Sequence, residues 1–176
     1  MQVFWSKGYG ATSMRDLTNA MGLSKSSLYD SFGSKHELFL ETIDFYRENI
    51  SSQVKSVAEL QMPARQLIMA VLSRAVDRIL EPNSRRGCFL NNCAVEVASD
   101  DPEAAARCRA GMAVMEESFL RLVRRAQAEG TISGDKDPES LARYLTSAIN
   151  GIMVIGKANP DRDVLEDIAR VTVSTF

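Results

Sequence analysis

The chain has 176 residues, of which 45% are hydrophobic and 25% charged, and its formal net charge is −2 at pH 7. This apolar content excludes a disordered chain, and the length allows a small headpiece plus one larger body. The negative charge excludes a uniformly basic nucleic-acid binder. Residues 1–35 nevertheless hold four cations against two acids, so the first part of the chain is locally positive.

The sequence also limits where the protein can act. No stretch reaches the roughly 18 to 20 uninterrupted apolar residues that span a bilayer, and the first residues lack the pattern of a secretory signal peptide. The cysteines Cys88, Cys93 and Cys108 are odd in number, which favours reduced thiols over a disulfide framework. We therefore expect a cytoplasmic protein with no membrane association.

Three short helical patterns follow one another between residues 8 and 39, with almost no linker between them. Thr12 and Ser13 stand where an N-cap is expected, and apolar residues then recur at helical spacing at Met14, Leu17, Ala20 and Met21. Gly22 provides a bend, and Leu23 is expected to fill the corner after it.

A second helix is predicted to begin at Ser24, with Leu28 and Phe32 facing inward. Its outward side chains are short donors and one cation: Ser24, Lys25, Ser26, Ser27 and the Tyr29 hydroxyl. Such groups suit phosphates and base edges in a major groove of double-stranded DNA. Ser34 and Glu37 form a capping box for a third helix, in which Lys35 lies beside unpaired amides that attract phosphate.

Prolines and capping residues divide the rest of the chain into helices, and no strand pattern competes. We predict helices at 35–56, 63–80, 86–98, 102–129, 138–157 and 161–175, with breaks at Gly130, Gly134 and residues 81–84. The predicted fold is therefore all-α. A DNA-binding headpiece of three helices occupies residues 1–45, and a larger helical body occupies residues 46–176.

The pattern of residues 8–39 resembles the N-terminal helix-turn-helix of the TetR family of transcriptional regulators. The matching positions are Gly8, Tyr9, Thr12, Ser13, Gly22, Leu28, Tyr29, Phe32, Ser34, Lys35, Glu37 and Leu38. The resemblance implies a ligand-responsive regulator, most often a repressor, that binds a pseudo-palindromic operator as a homodimer. We expect Thr12, Ser13, Lys35 and His36 to contact the DNA backbone beside the second helix.

Two features depart from the family pattern. Family members have a full first helix before the Gly-Tyr pair, whereas only residues 1–7 precede it here. Either translation begins further upstream or the domain is shortened, with its first helix truncated. Asp30 places a carboxylate on the second helix, where it either turns toward the protein or accepts a hydrogen bond from a cytosine amino group.

The last two predicted helices are apolar on more sides than one core can bury. They are either enclosed within one subunit or covered by a second one, and we favour the second, because family members dimerise through their last two helices. The expected interface residues are Leu141, Ala148, Gly151, Ile152, Ile155, Val164, Ile168 and Val171.

The resemblance also implies a pocket for an unidentified small-molecule effector within the helical body. A lining of soft and polar side chains is available: Cys88, Phe89, Asn92, Met112, Met115, Phe119, Tyr144, Asn150 and Met153. Methionines and aromatics at helical spacing are more often ordinary core residues. Amides in apolar helices, including Asn91, are therefore the stronger indication, because a buried amide needs hydrogen-bond partners.

The sequence gives no support to enzymatic chemistry. The single histidine, His36, lies in no pattern of a triad or metal site, and the pair Asp100 and Asp101 suits a helix cap. We expect no catalytic residue, no metal and no cofactor. The alternative to a regulator is a helical dimeric scaffold whose shortened headpiece no longer binds DNA.

Overall fold

The computed structural model describes residues 1–58, 60–81 and 85–176, and within these ranges it contains nine helices and no strand. The helices are α1 (Gln2–Lys7), α2 (Met14–Met21), α3 (Lys25–Phe32), α4 (Lys35–Ala58), α5 (Ala64–Leu80), α6 (Phe89–Val97), α7 (Pro102–Ala128), α8 (Pro138–Ala158) and α9 (Arg162–Ser174). The all-α prediction is confirmed. No helix in the described ranges is long and apolar enough to cross a membrane.

Local capping chemistry explains where these helices begin. The N-cap side chains of α2, α3, α8 and α9 each accept a hydrogen bond from a backbone amide of the first turn. α7 begins at Pro102 as predicted, whereas Pro63 is itself the N-cap of α5. α6 begins at Phe89 and not at 86, because Gly87 has a φ of 72° and cannot continue a helix. Of the predicted break at 81–84, residues 82–84 lie outside the described residues.

The chain forms two compact units, and the first contains Met1–Glu48 and Phe89–Gly111. Aromatic rings form its centre, with ring centroids 5.2 Å apart for Phe4 and Phe39 and 5.6 Å apart for Tyr46 and Phe89, in edge-to-face arrangements. Although α1 has only six residues, its Phe4 side chain is fully buried in this cluster. The residues predicted as the DNA-binding domain, 1–45, thus share a compact unit with 89–111.

The second unit contains Asn49–Cys88 and Met112–Phe176. α5, α8 and α9 pack against one another around a core that includes Leu67, Ile79, Leu145, Ile152 and Leu165. The placement of Ile152 corrects its predicted role in a dimer interface. Because it continues the buried stripe of Leu145 along α8, Ile152 faces the core of its own protomer and is not available to a partner.

Candidate nucleic-acid interface

A capping box fixes the start of α2. The Ser13 hydroxyl accepts a hydrogen bond from the Asp16 amide at 3.1 Å, and the Ser13 amide donates to Asp16 Oδ2 at 2.9 Å. Lys7 Nζ donates to Asp16 Oδ1 at 2.6 Å, which ties α1 to the same carboxylate. Of the apolar residues that recur at helical spacing on α2, only Leu17 is fully buried, whereas Ala20 and Met21 are exposed.

The corner between α2 and α3 is closed by the backbone. Gly22 has a φ of 66°, in the left-handed region, and the Leu23 amide donates to the Thr18 carbonyl at 3.2 Å. The Leu23 side chain is 37% exposed, so the prediction that it fills the corner is wrong. The αL conformation of Gly22 turns the chain without a buried plug.

α3 presents a polar outer face over a single buried contact. Leu28 is fully buried, while the outer positions of the helix are exposed: Lys25, Ser26, Ser27, Tyr29 and Asp30. The Ser24 hydroxyl caps the helix by accepting from the Ser27 amide at 3.1 Å, and it lies 2.9 Å from Ser26 Oγ and 2.8 Å from Ser27 Oγ. Of the two alternatives for Asp30, the structure therefore shows the carboxylate on the exposed side.

Tyr29 is the largest exposed side chain on α3, at 41% exposure. Lys25 Nζ lies 5.8 Å from the centroid of the Tyr29 ring, within the range of a cation–π contact. The helix thus offers a ring, an ammonium group and two serine hydroxyls side by side, which are groups that can contact base edges and phosphates.

Thr12 and His36, both predicted to contact the DNA backbone, are engaged within the protein. Thr12 is 1% exposed, and its hydroxyl donates to the Gly8 carbonyl at 2.5 Å. His36 Nε2 lies 2.8 Å from Asp101 Oδ2. Thr12 therefore stabilises the turn before α2, and the His36 ring holds the start of α4 against the start of α7. The buried Thr12 hydroxyl is not available to a phosphate, whereas the His36 ring stays partly exposed, and its phosphate contact remains a prediction.

The surroundings of Asp101 favour its charged form. Burial opposes ionisation, but hydrogen bonds from the Ala104 amide and from His36 outweigh it and keep the pKa of Asp101 below its usual value. Burial and this carboxylate together raise the pKa of Tyr9, so its hydroxyl stays protonated. Lys35 Nζ lies 4.4 Å from the centroid of the Tyr9 ring, and the Lys35 side chain remains partly exposed.

Arg15 is an exposed cation that was not predicted as a DNA contact. It lies in the first turn of α2, next to the helix N-terminus capped by Ser13. A cation beside free helical amides is a common arrangement for binding phosphate, so its position in the first turn is the signal that could have singled it out.

The residues predicted to line an effector pocket are divided between the two units. Phe89 and Asn92 belong to the first unit, where Phe89 is enclosed by aromatic rings. The others belong to the second unit: Cys88, Met112, Met115, Phe119, Tyr144, Asn150 and Met153. Phe119 and Met153 are buried in its core, whereas Tyr144 is exposed on α8 and does not line an interior. Asn91 is 8% exposed, and its Nδ2 has no hydrogen-bond partner among the described residues.

One face of α8 and α9 is apolar and is exposed or half-buried in the protomer. We call it the α8–α9 surface and define it by Tyr144, Ala148, Gly151, Val154, Ile155, Val164, Ile168 and Val171. These residues follow the i, i+3, i+4 and i+7 spacing of one side of each helix. Val154 is 56% exposed, and a Cβ placed on Gly151 would meet no atom within 4 Å. Leu141, also predicted here, packs partly against the core, and so does Ile168.

Comparison with known proteins identifies the class. Residues 1–42 match the family model described as bacterial regulatory proteins of the tetR family, and residues 64–172 match the one described as the tetracyclin repressor-like C-terminal domain. The chain belongs to the TetR family. It is a DNA-binding transcriptional regulator, which confirms the family resemblance and the function inferred from residues 8–39.

Individual relatives match over nearly the whole chain. An HTH-type transcriptional regulator of Bacillus subtilis, the uncharacterised YezE, is 31% identical over 100% of this chain and 91% of its own. The repressor ComR of Escherichia coli is 25% identical over 98% and 83%. A solved structure of a cysteine mutant of the TetR family regulator CifR, complexed with 26-base-pair operator DNA, matches with a TM-score of 0.84 and 28% identity over 99% of this chain and 91% of its own.

Proposed function

We propose that this protein is a homodimeric, ligand-responsive repressor that places two α3 helices in successive major grooves of a pseudo-palindromic operator. The observation that carries the proposal is the outer face of α3, where polar side chains stand exposed over the buried Leu28. Because it acts on genomic DNA, the protein works in the cytoplasm. Its activity is binding alone, without catalysis, metal or cofactor.

We assign base contacts to the exposed face of α3. Ser26, Ser27 and Tyr29 can each donate or accept a hydrogen bond, which suits the mixed donor and acceptor pattern of the major groove. The Ser24 hydroxyl already caps the helix, so it contributes to α3 geometry first and to DNA contact second. Asp30 is exposed on the same helix and can accept from a cytosine amino group.

We assign phosphate contacts to the cations around this helix. Lys25 and Arg15 are exposed and Lys35 is partly exposed. Ser13 contributes through the helix N-terminus that it caps, because the amides of the first turn attract negative charge. The concentration of these cations in the first 35 residues explains how an acidic protein binds a polyanion: the affinity comes from a local patch.

A second copy of the chain is the occupant that we propose for the α8–α9 surface. Exposed apolar side chains from two neighbouring helices make a continuous face, and burying such a face against an identical one is the usual route to a symmetric dimer. Dimerisation through the last two helices is also what membership of the family implies. Two headpieces then read two half-sites about one helical turn of DNA apart.

The proposal of a small-molecule effector is supported by family membership and by Asn91, whose buried amide retains an unused donor. The dimer can hold its two headpieces at two different spacings. An effector that binds the dimer more tightly at one spacing shifts the population toward that spacing. The response then requires unequal affinity for two states and no chemical reaction. The ComR relative, a repressor by name, supports repression as the sign of regulation.

Fluorescence anisotropy on labelled duplexes tests the DNA contacts. Operator duplexes are selected with the wild-type protein from a random library and from DNA flanking its own gene. Tyr29→Ala is expected to remove the preference for operator over random duplex, while Tyr29→Phe shows how much of it depends on the hydroxyl. Lys25→Gln is expected to weaken binding to both duplexes alike and to reduce the salt slope by about 1.8, since each of the two copies loses one phosphate contact.

Lys136→Gln is the matched control, because it makes the same charge change in the second unit, where Lys136 Nζ donates to the Thr175 carbonyl. It should leave the salt slope unchanged. If wild-type protein enriches no duplex, the proposed repressor function is refuted. If Tyr29→Ala retains full operator preference, the assignment of α3 as the reading helix is wrong.

A further inference from the structure

Glu96, near the end of α6, binds the backbone of the turn that precedes α2. Its Oε2 accepts a hydrogen bond from the Tyr9 amide at 3.0 Å, and its Oε1 accepts one from the Gly10 amide at 2.8 Å. One carboxylate thus satisfies two consecutive backbone donors that lie in no helix. Hydrogen bonds from amides to an ionised acceptor are stronger than those between neutral groups.

The turn is built to admit this carboxylate. Gly8 has a φ of 83°, and a Cβ on this residue would lie 2.7 Å from Glu96 Oε2. Any larger residue would therefore combine backbone strain with a clash against the carboxylate. The fit of Gly8 to Glu96 gives the glycine of the Gly-Tyr pair a physical role that its sequence position alone does not reveal.

A short chain of contacts connects this turn to the DNA-facing groups. The Thr12 hydroxyl donates to the Gly8 carbonyl, the Thr12 amide donates to the Tyr9 carbonyl at 3.3 Å, and the next residue, Ser13, is the N-cap of α2. The Tyr9 ring packs 4.6 Å from the Phe39 ring, centroid to centroid, and underlies the Lys35 ammonium. The orientation of the turn therefore sets where the α2 N-terminus and Lys35 stand.

We infer that Glu96 is a positioning residue for DNA recognition, which fixes the turn of residues 8–10 so that the α2 N-terminus and Lys35 meet the operator backbone together. Glu96 does not touch DNA in this role; it acts through Tyr9 and Gly10. The inference rests on the proposed phosphate contacts of α2 and Lys35.

In Glu96→Gln, the change in charge and the loss of positioning are expected to change DNA affinity in opposite directions. Replacing Glu96 by glutamine removes a negative charge from an acidic protein, which at long range favours binding to DNA. Glutamine also keeps only one acceptor for the two amides and directs an NH₂ group at the other. If Glu96 positions the turn, Glu96→Gln weakens operator binding in spite of the favourable charge change.

Glu103→Gln is the matched control. Glu103 lies in the first turn of α7 in the same unit, is exposed and pairs with Arg107 at 3.7 Å, and in the described part of the chain its side chain makes no hydrogen bond to residues 8–10. Glu103→Gln replaces the same residue type by glutamine and changes the net charge by the same amount as Glu96→Gln. We expect Glu96→Gln to bind the selected operator roughly tenfold more weakly, and Glu103→Gln to bind as well as wild type or slightly better.

Two further readouts separate positioning from loss of structure. The salt slope of Glu96→Gln should be shallower than that of wild type, because the Lys35 ammonium is no longer held against the operator backbone, whereas Glu103→Gln should keep the wild-type slope. Hydrogen exchange of the Tyr9 and Gly10 amides should become faster in Glu96→Gln and not in Glu103→Gln, at a temperature where circular dichroism shows both variants folded. Glu96→Asp, with a shorter carboxylate, should fall between Glu96→Gln and wild type.

If folded Glu96→Gln protein binds the operator as tightly as wild type, the inference is overturned. If Glu96→Gln does not fold, Glu96→Asp decides instead: faster exchange at Tyr9 and Gly10 with unchanged operator affinity also overturns it. These outcomes leave the regulator function intact, because wild-type protein still selects and binds an operator. Failure of the wild type to enrich any duplex refutes the proposed function itself and is therefore distinguishable.

Discussion

Asp16 is the charged side chain on which the start of α2 depends. It accepts hydrogen bonds from Lys7 Nζ, from the Ser13 hydroxyl at 2.7 Å and from the Ser13 amide. The hydrogen bond from Lys7, followed by those from Ser13, holds the pKa of Asp16 far below its usual value. A carboxyl whose pKa is lower in the folded state stabilises that state at every pH above its unfolded pKa of about 3.9, and this contribution is lost as the pH falls.

Asp16→Asn should therefore destabilise the protein at pH 7, and the difference from wild type should shrink as the pH falls below about 4, where the unfolded aspartate becomes protonated. Urea unfolding midpoints at pH 7 and pH 3 measure this. Asp30→Asn is the control, because Asp30 is exposed and has no ion pair among the described residues. An Asp16→Asn deficit that is equally large at pH 3 would contradict the assignment.

At the scale of the elements, local sequence determines most of what could be predicted. Caps such as Ser13 and Asp137, and prolines such as Pro102, act within one helical turn, so the starts of α2, α7 and α8 follow from neighbouring residues. The face of α3 was predictable for the same reason, because the two residues predicted to face inward, Leu28 and Phe32, stand among polar residues; Leu28 is buried and Phe32 half-buried.

Contacts between distant parts of the sequence could not be predicted in this way. Glu96 reaches Gly10 across 86 positions, and His36 reaches Asp101 across 65. No local pattern marks which acid of the chain will meet a given turn or a given histidine. Neither the contact of Glu96 with Gly10 nor that of Asp101 with His36 could therefore be predicted. Ile152 was misplaced for a related reason: on a helix apolar on several faces, periodicity cannot tell the core side from the partner side.

Gly22 offers a test of how the helix-turn-helix is bent. Its φ of 66° is costly for a residue with a Cβ, yet a Cβ there would meet nothing within 4 Å, so any penalty comes from the backbone alone. We expect Gly22→Ala to lower the free energy of unfolding by about 1 kcal/mol, and Gly22→Asn to cost less, because asparagine tolerates the left-handed region.

Chemical denaturation with an unchanged m-value measures this difference. Both variants should keep the native far-ultraviolet circular dichroism, because the turn and not the helices carries the strain. Equal losses for alanine and asparagine would mean that the conformation of Gly22 is not what limits the bend between α2 and α3.

At the scale of the whole molecule, the function depends on how many copies of the chain act together. One α3 helix reads only a few base pairs, whereas two helices held at a fixed spacing read a pseudo-palindrome and gain effective concentration from their linkage. The α8–α9 surface is the exposed apolar face that we propose for this linkage. Operator affinity and self-association should therefore fall together when the surface is altered.

Gly151→Arg separates the stability of the protomer from the stability of the dimer. No atom lies within 4 Å of a Cβ at this position, so an arginine fits the isolated protomer, and it also improves the helix propensity of α8. In a dimer packed across Gly151, the same side chain would be forced into the partner. We expect sedimentation velocity to show a folded monomer, and anisotropy to show a large loss of operator affinity.

Ala128→Arg provides the comparison, because Ala128 is exposed at the C-terminal end of α7, where a cation is favourable for the helix dipole. It adds the same charge away from the α8–α9 surface and should leave the protein dimeric and able to bind the operator. If Gly151→Arg dimerises with wild-type affinity, the two copies meet through another surface, and the spacing of the α3 helices has to be explained by that contact instead.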